Sequence, residues 1–442
     1  MLTILWGLGG MLALILIAWL VSADRGAVRW RTVLAALGLQ VGFGVLTLYW
    51  EPGQKALSAV ADGVSAVIGS AGAGIDFLFG PVLPEEGSVF AFQVLPVIVF
   101  FASLTAVLFH LGVLQFVVNG IGRALGTVLG TGRYESVNAA ANIFVGQTEA
   151  PLLIKPYIRR LDESALFAVM VGGLSTVAGS VLAGYALMGA SMEYLIAASF
   201  MAAPGALLMA KIMVPDGAMA GGARGAATAS EPAVSGAASG GGATVLSDDD
   251  ASTLGQRPQE EPQDEHLAEE EADNVIEAAA LGAQEGLKLA LTIGAMVLAF
   301  IALIQLMNLL LGTVGGWFGQ PDLSFEQLLG WVFAPVMTLV GVPWSEASTS
   351  GSFLGQKIVL NEFVAFANFT PVAETLSART QAITTFALTG FANLGSLGIL
   401  LGGLGGLAPE RRGDIARLGL RAILAATLAN LMSAAIAGIL IA

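Results

Sequence analysis

A short polar stretch interrupts an otherwise apolar chain at residues 142–157, which read NIFVGQTEAPLLIKPY. It places an amide, a hydroxyl and a carboxylate side by side at Gln147, Thr148 and Glu149. A carboxylate at membrane depth costs roughly 2.5 to 3.5 kcal/mol or more unless it is paired, so a membrane-inserted Glu149 would mark a functional site. The stretch by itself leaves two interpretations open: a membrane-inserted site, or a loop tip in water.

A second stretch has the same design. Residues 343–369 read PWSEASTSGSFLGQKIVLNEFVAFANF and carry Asn361 and Glu362 near their end. Each polar stretch is followed by an apolar run that begins Phe-Ala, at Phe167 and at Phe386, and that is rich in Gly with Ser, Thr or Asn in its middle. The shared order indicates an internal duplication.

The composition is that of a polytopic helical membrane protein. The chain is 55% hydrophobic and only 12% charged, and its long apolar runs exclude a soluble domain. With no Cys, neither disulfides nor thiolate chemistry is available, and His110 and His266 have no metal-ligand spacing. Nine apolar runs free of Lys, Arg, Asp and Glu begin near Thr3, Thr32, Phe92, Ala165, Tyr194, Leu289, Leu328, Thr380 and Ala422.

Lys and Arg collect in the cytoplasm, and this rule decides how many runs cross. The basic residues form three clusters: Arg25, Arg29 and Arg31; Arg133, Lys155, Arg159 and Arg160; and Arg411, Arg412 and Arg417. If all nine runs crossed, the last cluster would fall on the side opposite to the other two, so one run does not cross. The short run from Leu328, which contains Pro335, is predicted to be interfacial. Eight spans remain, with both termini on the non-cytoplasmic side. The basic residues that do not fit this topology are Lys55, Lys357 and Arg379.

Residues 216–274 differ from the rest of the chain. They hold 13 acidic residues against two Arg, a net charge of −11, which predicts a solvated, disordered cytoplasmic loop. A partner-binding acidic arm is the alternative function for this segment.

The two polar stretches are too short to span, and Pro151 and Pro156 interrupt helical hydrogen bonding in the first. Both are predicted to be re-entrant hairpins, near residues 135–160 and 343–370. A re-entrant hairpin is allowed only where protein or water covers its free backbone groups, so its tip is a candidate site. With the predicted topology, the two units are inverted repeats, as in secondary transporters.

These features divide the chain into five parts. They are residues 1–120 with spans 1 to 3 and an interfacial helix, 121–215 with the first hairpin and spans 4 and 5, 216–274 with the acidic loop, 275–324 with span 6, and 325–442 with an interfacial helix, the second hairpin and spans 7 and 8. Most mid-span glycines are expected to serve close helix packing. Asn393 and Ser396, three residues apart, would share one helix face and meet a polar ligand together.

Four segments carry a resemblance to a known family: NIFVGQTEAPLLIKPY, GGLSTVAGSVLAGY, LNEFVAF and GFANLGSLGILLGGLGGLAPERRGDIAR. Together they resemble the concentrative nucleoside transporter family over nearly the whole chain apart from the acidic loop. The resemblance implies an all-α homotrimer in the inner (plasma) membrane, each protomer with eight transmembrane helices, two opposed re-entrant hairpins and interfacial helices. It also implies a transport domain that moves across a scaffold containing spans 3 and 6.

The family's binding residues can be carried over by motif. The resemblance implies that Gln147, Thr148 and Glu149 face the nucleobase, that Leu289 and Phe391 contact it with Val181 at its edge, and that Glu362, Asn393 and Ser396 bind the ribose. Donors and acceptors on a base edge suit amide, hydroxyl and carboxylate groups. A carboxylate that accepts from sugar hydroxyls would reject analogues that lack them.

The resemblance also implies a coupling cation. The matching positions are Asn142, Val145, Thr176 and Val177, which would supply side-chain and main-chain oxygen to Na⁺. The hydroxyl is Thr where Ser is expected, which keeps the ligand atom and leaves proton coupling as the alternative. The expected partners are a nucleoside and membrane lipid, with no nucleic acid.

Two rival functions remain. A membrane-embedded enzyme could use Glu149 and Glu362 as an acid/base pair, but the chain shows no nucleophile, metal-ligand or phosphate-binding motif to support one. A symporter of the same architecture could carry another polar solute, although two acidic groups and no Arg at the expected site disfavour an anion.

Overall fold

The computed structural model describes residues 2–83, 89–217 and 272–441. Over these ranges the chain forms seventeen α-helices joined by short turns, 3₁₀ and π segments. In chain order the helices are α1 (Leu2–Leu20), α2 (Trp30–Gly44), α3 (Glu51–Phe79), α4 (Leu95–His110), α5 (Val113–Leu129), α6 (Arg133–Ala141), α7 (Lys155–Ile158), α8 (Glu163–Ser175), α9 (Gly179–Leu187), α10 (Met192–Met213), α11 (Val275–Gly316), α12 (Phe325–Leu339), α13 (Trp344–Val359), α14 (Glu362–Phe369), α15 (Ala378–Leu388), α16 (Leu394–Leu407) and α17 (Arg412–Leu440). Nearly all of the predicted acidic loop lies outside the described residues.

Seven helical segments of the described chain are long and apolar enough to cross a membrane, and an eighth is possible if the bent pair α12–α13 is one span. One of the seven, Glu51–Val82, contains α3 and falls in the part where an interfacial helix was expected; it carries Lys55, Asp62 and Asp76. The run from Thr3 forms a shorter apolar helix, Ile4–Leu20. The predicted all-helical polytopic fold is confirmed, while length alone does not separate a span from a long interfacial helix.

Two of the predicted spans are broken in their middle. The run from Ala165 forms α8 and α9 with an interruption after Ser175, and the run from Thr380 forms α15 and α16 with an interruption between Leu388 and Leu394. In the second interruption Gly390 has a φ of +155°, a conformation that favours glycine. Each interruption leaves one helix C-terminus and one helix N-terminus inside the bundle.

The two polar stretches form compact hairpin-like segments in front of these broken spans. The first runs from α6 through a turn and a 3₁₀ segment, Ala150–Ile154, into α7. The second is α13 followed by α14, with only Leu360 and Asn361 between them. The run from Leu328 forms α12, which bends by 115° from α13 and does not continue into it as a straight span.

A buried ion pair fastens the first hairpin to the bundle. The Lys211 ammonium on α10 lies 2.7 Å from a carboxylate oxygen of Glu135 on α6 and 2.7 Å from one of Asp216. Burial acts to raise the pKa of the Asp216 carboxyl, but the hydrogen bond and charge of Lys211 outweigh it and hold that pKa below its ordinary value. The hairpin base is therefore held by charge as well as by packing.

The long helices form two groups that differ in burial. The apolar stretches of α8–α9, α10 and α17 are 89%, 94% and 83% buried, whereas that of α11 is only 17% buried. The α11 helix packs along α4 through Gly282 and Gly286, which lie against Val99, Ala102 and Ser103. Small residues let the two helices approach closely, and their remaining apolar surface faces away from the protein core.

Replacing Gly286 with Ala should destabilise the α4–α11 pair. The added Cβ would lie 2.7 Å from the Ala102 Cβ and 2.8 Å from the Val99 Cα, and overpacking of this kind typically costs ~1–3 kcal/mol. The thermal unfolding midpoint of the purified protein should therefore fall. Gly316→Ala is the control on the same helix, because nothing lies within 4 Å of its added Cβ. Equal midpoints for the two variants would contradict the close approach.

Candidate functional site

One cavity lies where the first hairpin, the two broken spans, α11 and α14 meet. All nine residues predicted to contact substrate line it, namely Gln147, Thr148, Glu149, Val181, Leu289, Glu362, Phe391, Asn393 and Ser396. The lining residues of the two polar stretches are more than 200 residues apart in sequence, yet they contribute to one binding space. The two units of the internal duplication therefore meet at one cavity.

The cavity also has lining residues that were not among the predicted substrate contacts. Helical spacing predicts Thr292, Ile293 and Met296, because they lie within two turns of Leu289 on α11 and share its face. Asn361 adjoins Glu362, and Ile399 lies one turn after Ser396. The full additional set is Gly146, Ala178, Thr292, Ile293, Met296, Asn361, Phe363 and Ile399.

Glu362 and Asn393 form the polar centre of the cavity. The Asn393 Nδ2 donates to Glu362 Oε2 at 2.8 Å, and the Asn393 Oδ1 accepts from the Ser396 backbone N–H at 2.8 Å. All three side chains are buried, with 4% or less of their surface exposed. Asn393 thus caps α16 and orients the Glu362 carboxylate with the same amide.

The position of Glu362 in its helix stabilises the buried carboxylate. Asn361 caps α14 by accepting from the Val364 backbone N–H at 2.9 Å, so Glu362 is the first residue of that helix. A helix N-terminus carries partial positive charge, which stabilises an anion in the first turn. The fold therefore keeps an acceptor group inside the protein with little help from water.

The first hairpin contributes two exposed side chains and one buried side chain to the cavity. Glu149 Oε2 accepts from the Gly146 backbone N–H at 2.8 Å, and both Glu149 and Thr148 are exposed, so they lie at the opening of the cavity. Gln147 is buried, and its Oε1 accepts no hydrogen bond from the described residues. A buried acceptor without a donor is costly, so a ligand that donates a hydrogen bond would be stabilised here.

Comparisons with known proteins identify the family of the chain. Residues 194–438 match the family described as Na⁺ dependent nucleoside transporter C-terminus, residues 9–82 match its N-terminus, and residues 91–192 match the family described as nucleoside recognition. The chain belongs to the concentrative nucleoside transporter family. It is a multi-pass membrane protein and a Na⁺-dependent nucleoside transporter, which confirms the resemblance inferred from sequence and excludes the enzyme alternative.

Individual relatives match along their whole length. The chain is 44% identical to nucleoside permease NupC of Helicobacter pylori, covering 99% of this chain and 98% of that protein. It is 47% identical to the structure of CNTnw in an inward-facing substrate-bound state, with a TM-score of 0.86 and coverage of 99% and 98%. A CNTnw variant in an outward-facing state matches with the same TM-score. The existence of both states supports alternating access in this transporter.

The four positions predicted for the coupling cation lie at the junction of the first hairpin with the α8–α9 interruption. The Gly179 backbone N–H donates to the Phe144 carbonyl at 3.0 Å and joins the two segments. All four residues, Asn142, Val145, Thr176 and Val177, are at least 95% buried. None of them lines the cavity described above, so the transporter separates the two sets of residues.

The side-chain oxygens of this junction suit a hard cation. Asn142 Oδ1 is buried and accepts no hydrogen bond from the described residues, while its Nδ2 donates to the Asn138 carbonyl at 2.9 Å. The Thr176 hydroxyl donates to the Gly172 carbonyl at 2.9 Å, which leaves its oxygen lone pairs available. Hard cations prefer oxygen ligands, so the orphaned amide oxygen and the hydroxyl fit a Na⁺ ligand set.

A polar residue of the last span connects the two interruptions of the transporter. The Asn430 Nδ2 on α17 donates to the Ser175 carbonyl at 2.7 Å and to the Thr389 carbonyl at 2.9 Å. The interruptions also touch directly, because the Phe391 backbone N–H donates to the Thr176 carbonyl at 3.2 Å. Sequence analysis missed Asn430, since a single Asn in an apolar run carries no local signal for these contacts.

Asn393→Asp should weaken nucleoside binding while leaving the fold intact. It keeps the oxygen that caps α16, but it replaces the donor to Glu362 with a second carboxylate. Hydrogen bonds to charged groups contribute ~1.5–3 kcal/mol, so the dissociation constant of uridine should rise about tenfold or more. Equilibrium binding to purified protein measures this effect.

The matched control is Asn308→Asp on α11. Asn308 also donates to a carboxylate, Glu326, at 3.0 Å and accepts from a backbone N–H, that of Phe325, at 2.7 Å, but it does not line the cavity. Its substitution should leave uridine affinity unchanged. Equal losses in the two variants would contradict a special place for Asn393 in the binding site.

Proposed function

We propose that this transporter carries a nucleoside and Na⁺ in the same direction across the inner membrane, with the nucleoside held between the two hairpins. The single observation that carries the proposal is the Asn393–Glu362 hydrogen bond at the centre of a cavity lined by both polar stretches. The bond turns one buried carboxylate into an oriented acceptor. Sugar hydroxyls are donors of the right kind for it.

The ribose is bound at the inner end of the cavity by Glu362, Asn393 and Ser396, and the base at its opening. Gln147, Thr148 and Glu149 offer both acceptors and donors to the base edge. Leu289 and Phe391 contact the base, and Val181 lies at its edge. The unpaired buried oxygen of Gln147 supports this division, because a base N–H would satisfy it. The mixed lining also suits an uncharged solute better than an anion.

The cation is held by Asn142 and Thr176 side chains together with main-chain oxygen at Val145 and Val177. The support is the buried, unpartnered Oδ1 of Asn142 and the available lone pairs of Thr176. Each Na⁺ that moves down a membrane potential of 100 mV releases roughly 2.3 kcal/mol. That energy alone supports an accumulation of roughly 50-fold.

Transport proceeds by movement of a hairpin-containing domain against a scaffold formed by α4 and α11, within a homotrimer. The scaffold proposal is supported by the glycine-mediated packing of α4 on α11 and by the small buried fraction of both helices. Apolar helices with this much exposed surface can face lipid and further copies of the chain.

Both chain termini lie on the non-cytoplasmic side in this proposal. The burial of Lys357 supports the topology, because a residue with none of its surface exposed is not a loop charge and does not count in the charge rule. One of the three basic residues that did not fit the predicted orientation is therefore accounted for.

Uptake into proteoliposomes tests the function as a whole. Radiolabelled uridine and adenosine should accumulate when a Na⁺ gradient is imposed and not when a proton gradient is imposed alone. Accumulation with protons alone would replace the Na⁺ proposal with proton coupling. If low concentrations of uridine and adenosine both fail to compete for transport, the transporter carries another solute.

Glu362→Gln should reduce uridine uptake about 10- to 100-fold, because a carboxylate that accepts from sugar hydroxyls contributes ~1.5–3 kcal/mol. The protein should still assemble. Glu374→Gln, an exposed carboxylate after the second hairpin, is the control and should transport normally. Robust uptake by the Glu362 variant would remove this residue from the ribose site.

Asn142→Ala should raise the Na⁺ concentration needed for half-maximal uptake by about tenfold, because a buried oxygen ligand is lost. Thr176→Ser is the matched variant, since it keeps the hydroxyl oxygen and should leave the Na⁺ dependence close to that of the wild type. Uptake measured against Na⁺ concentration at constant ionic strength distinguishes the two. An unchanged Na⁺ dependence in Asn142→Ala would place the cation elsewhere.

A further inference from the structure

The two broken spans each end a helix inside the protein. The last carbonyls of α8, which ends at Ser175, and of α15, which ends at Leu388, have no partner further along their own helices. A helix C-terminus carries partial negative charge, and the membrane interior supplies no water to balance it. Both ends therefore call for a donor or a cation from elsewhere in the protein.

At the end of α8 the proposed ligands of the transported Na⁺, Thr176 and Val177, follow directly. At the end of α15 the corresponding cation belongs to the protein. The Lys357 Nζ, on α13 of the second hairpin, donates to the Ala387 carbonyl at 2.8 Å and to Asn430 Oδ1 at 2.9 Å. None of the Lys357 side chain is exposed.

Lys357 is bonded differently from Lys211, the other buried lysine of the described chain. The Lys211 ammonium lies 2.7 Å from two carboxylate oxygens, those of Glu135 and Asp216. Within the described residues Lys357 forms no ion pair, and both of its partners are neutral oxygens. Its Nζ faces the negative end of a helix, and beyond ion-pair distance it interacts electrostatically with Glu362.

Asn430 joins the two helix ends into one unit. Its Oδ1 accepts from Lys357, and its Nδ2 donates to Ser175 at the end of α8 and to Thr389 after α15. Gly390 keeps this approach open, because a Cβ at that position would overlap Asn430 Oδ1. A change in charge at the end of α15 therefore acts on the Asn430 amide, which also contacts the end of α8.

We propose that the Lys357 ammonium is a covalently attached cation that takes, in the second repeat, the place that Na⁺ takes in the first. This proposal rests on the proposed cation site at Asn142 and Thr176. Lys357 is then a positioning residue: it holds the α15–α16 interruption in the form that presents Asn393 to Glu362. With this second position filled by the protein itself, one exchangeable cation accompanies each nucleoside.

Two substitutions of Lys357 separate its charge from its hydrogen bonds. Lys357→Gln keeps a side-chain donor for Ala387 and Asn430 but removes the charge. Lys357→Ala removes both and leaves room for a small cation. The measurement is uridine affinity of the purified full-length protein as a function of Na⁺ concentration, at constant ionic strength, with and without ethylammonium. Thermal unfolding establishes that each variant is folded.

Lys357→Gln should bind uridine about tenfold more weakly at a given Na⁺ concentration, because the charge at the helix end is lost. In Lys357→Ala, ethylammonium should restore the affinity, or Na⁺ should do so with a Hill coefficient that rises from about 1 toward about 2. Lys55→Gln, which removes an exposed lysine charge on α3, is the control and should match the wild type.

Wild-type affinity and Na⁺ dependence in a folded Lys357→Gln would overturn the proposal, since hydrogen bonding alone would then suffice. A folded Lys357→Ala that neither Na⁺ nor ethylammonium rescues would overturn it as well. If Lys357→Ala does not fold, Lys357→Gln decides. A wild-type protein whose uridine affinity is independent of Na⁺ would instead refute the cation site of the first repeat, which is a separate failure.

Discussion

Every backbone N–H and C=O at membrane depth must find its partner within the protein, and this constraint governs the structure described here. A continuous helix meets it automatically, whereas α8–α9 and α15–α16 are each interrupted in mid-span. The interruptions survive because side chains supply the missing partners. Asn393 and Asn361 cap helix N-termini, and Asn430 and Lys357 bind carbonyls at helix C-termini.

The same groups that stabilise the interruptions also form the site. Asn393 caps α16 with its oxygen and orients Glu362 with its nitrogen, so the binding geometry cannot change without disturbing the helix end. The exposed residues of the first hairpin, Thr148 and Glu149, are less constrained, since only Gly146 holds the Glu149 carboxylate among the hydrogen bonds described for it. The end of the cavity at Glu362 and Asn393, where we propose that the ribose binds, is therefore the more constrained part of the site, and the end at Thr148 and Glu149 is the adaptable part.

The sequence alone predicted the parts of this arrangement that have local signals. Polar stretches between apolar runs, their repeated order and the spacing of Asn393 and Ser396 indicated residues that do line one cavity. Asn430 and Lys357 escaped detection for a physical reason: their partners lie between 30 and 255 residues away, and no periodicity reports such contacts. Lys357 was noticed only as a basic residue that did not fit the topology. Likewise, the mean hydropathy that identifies spans also accepts Glu51–Val82, because it measures composition and not position in a membrane.

A fixed cation and an exchangeable one have different consequences for the energy of transport. Na⁺ enters with substrate and is released on the other side, so each cycle gains roughly 2.3 kcal/mol per 100 mV from the potential. In the domain movement that we propose, the charge of Lys357 travels in both directions and therefore gains nothing over a complete cycle. This charge can still make each half of the cycle sensitive to voltage. A potential that speeds the loaded step would slow the empty return step, and the reverse. Two exchangeable cations would double the driving energy but would also leave two negative helix ends without a cation whenever the ions dissociate. Retaining one charge covalently keeps the second interruption, and with it the Asn393–Glu362 pair, intact in the empty transporter.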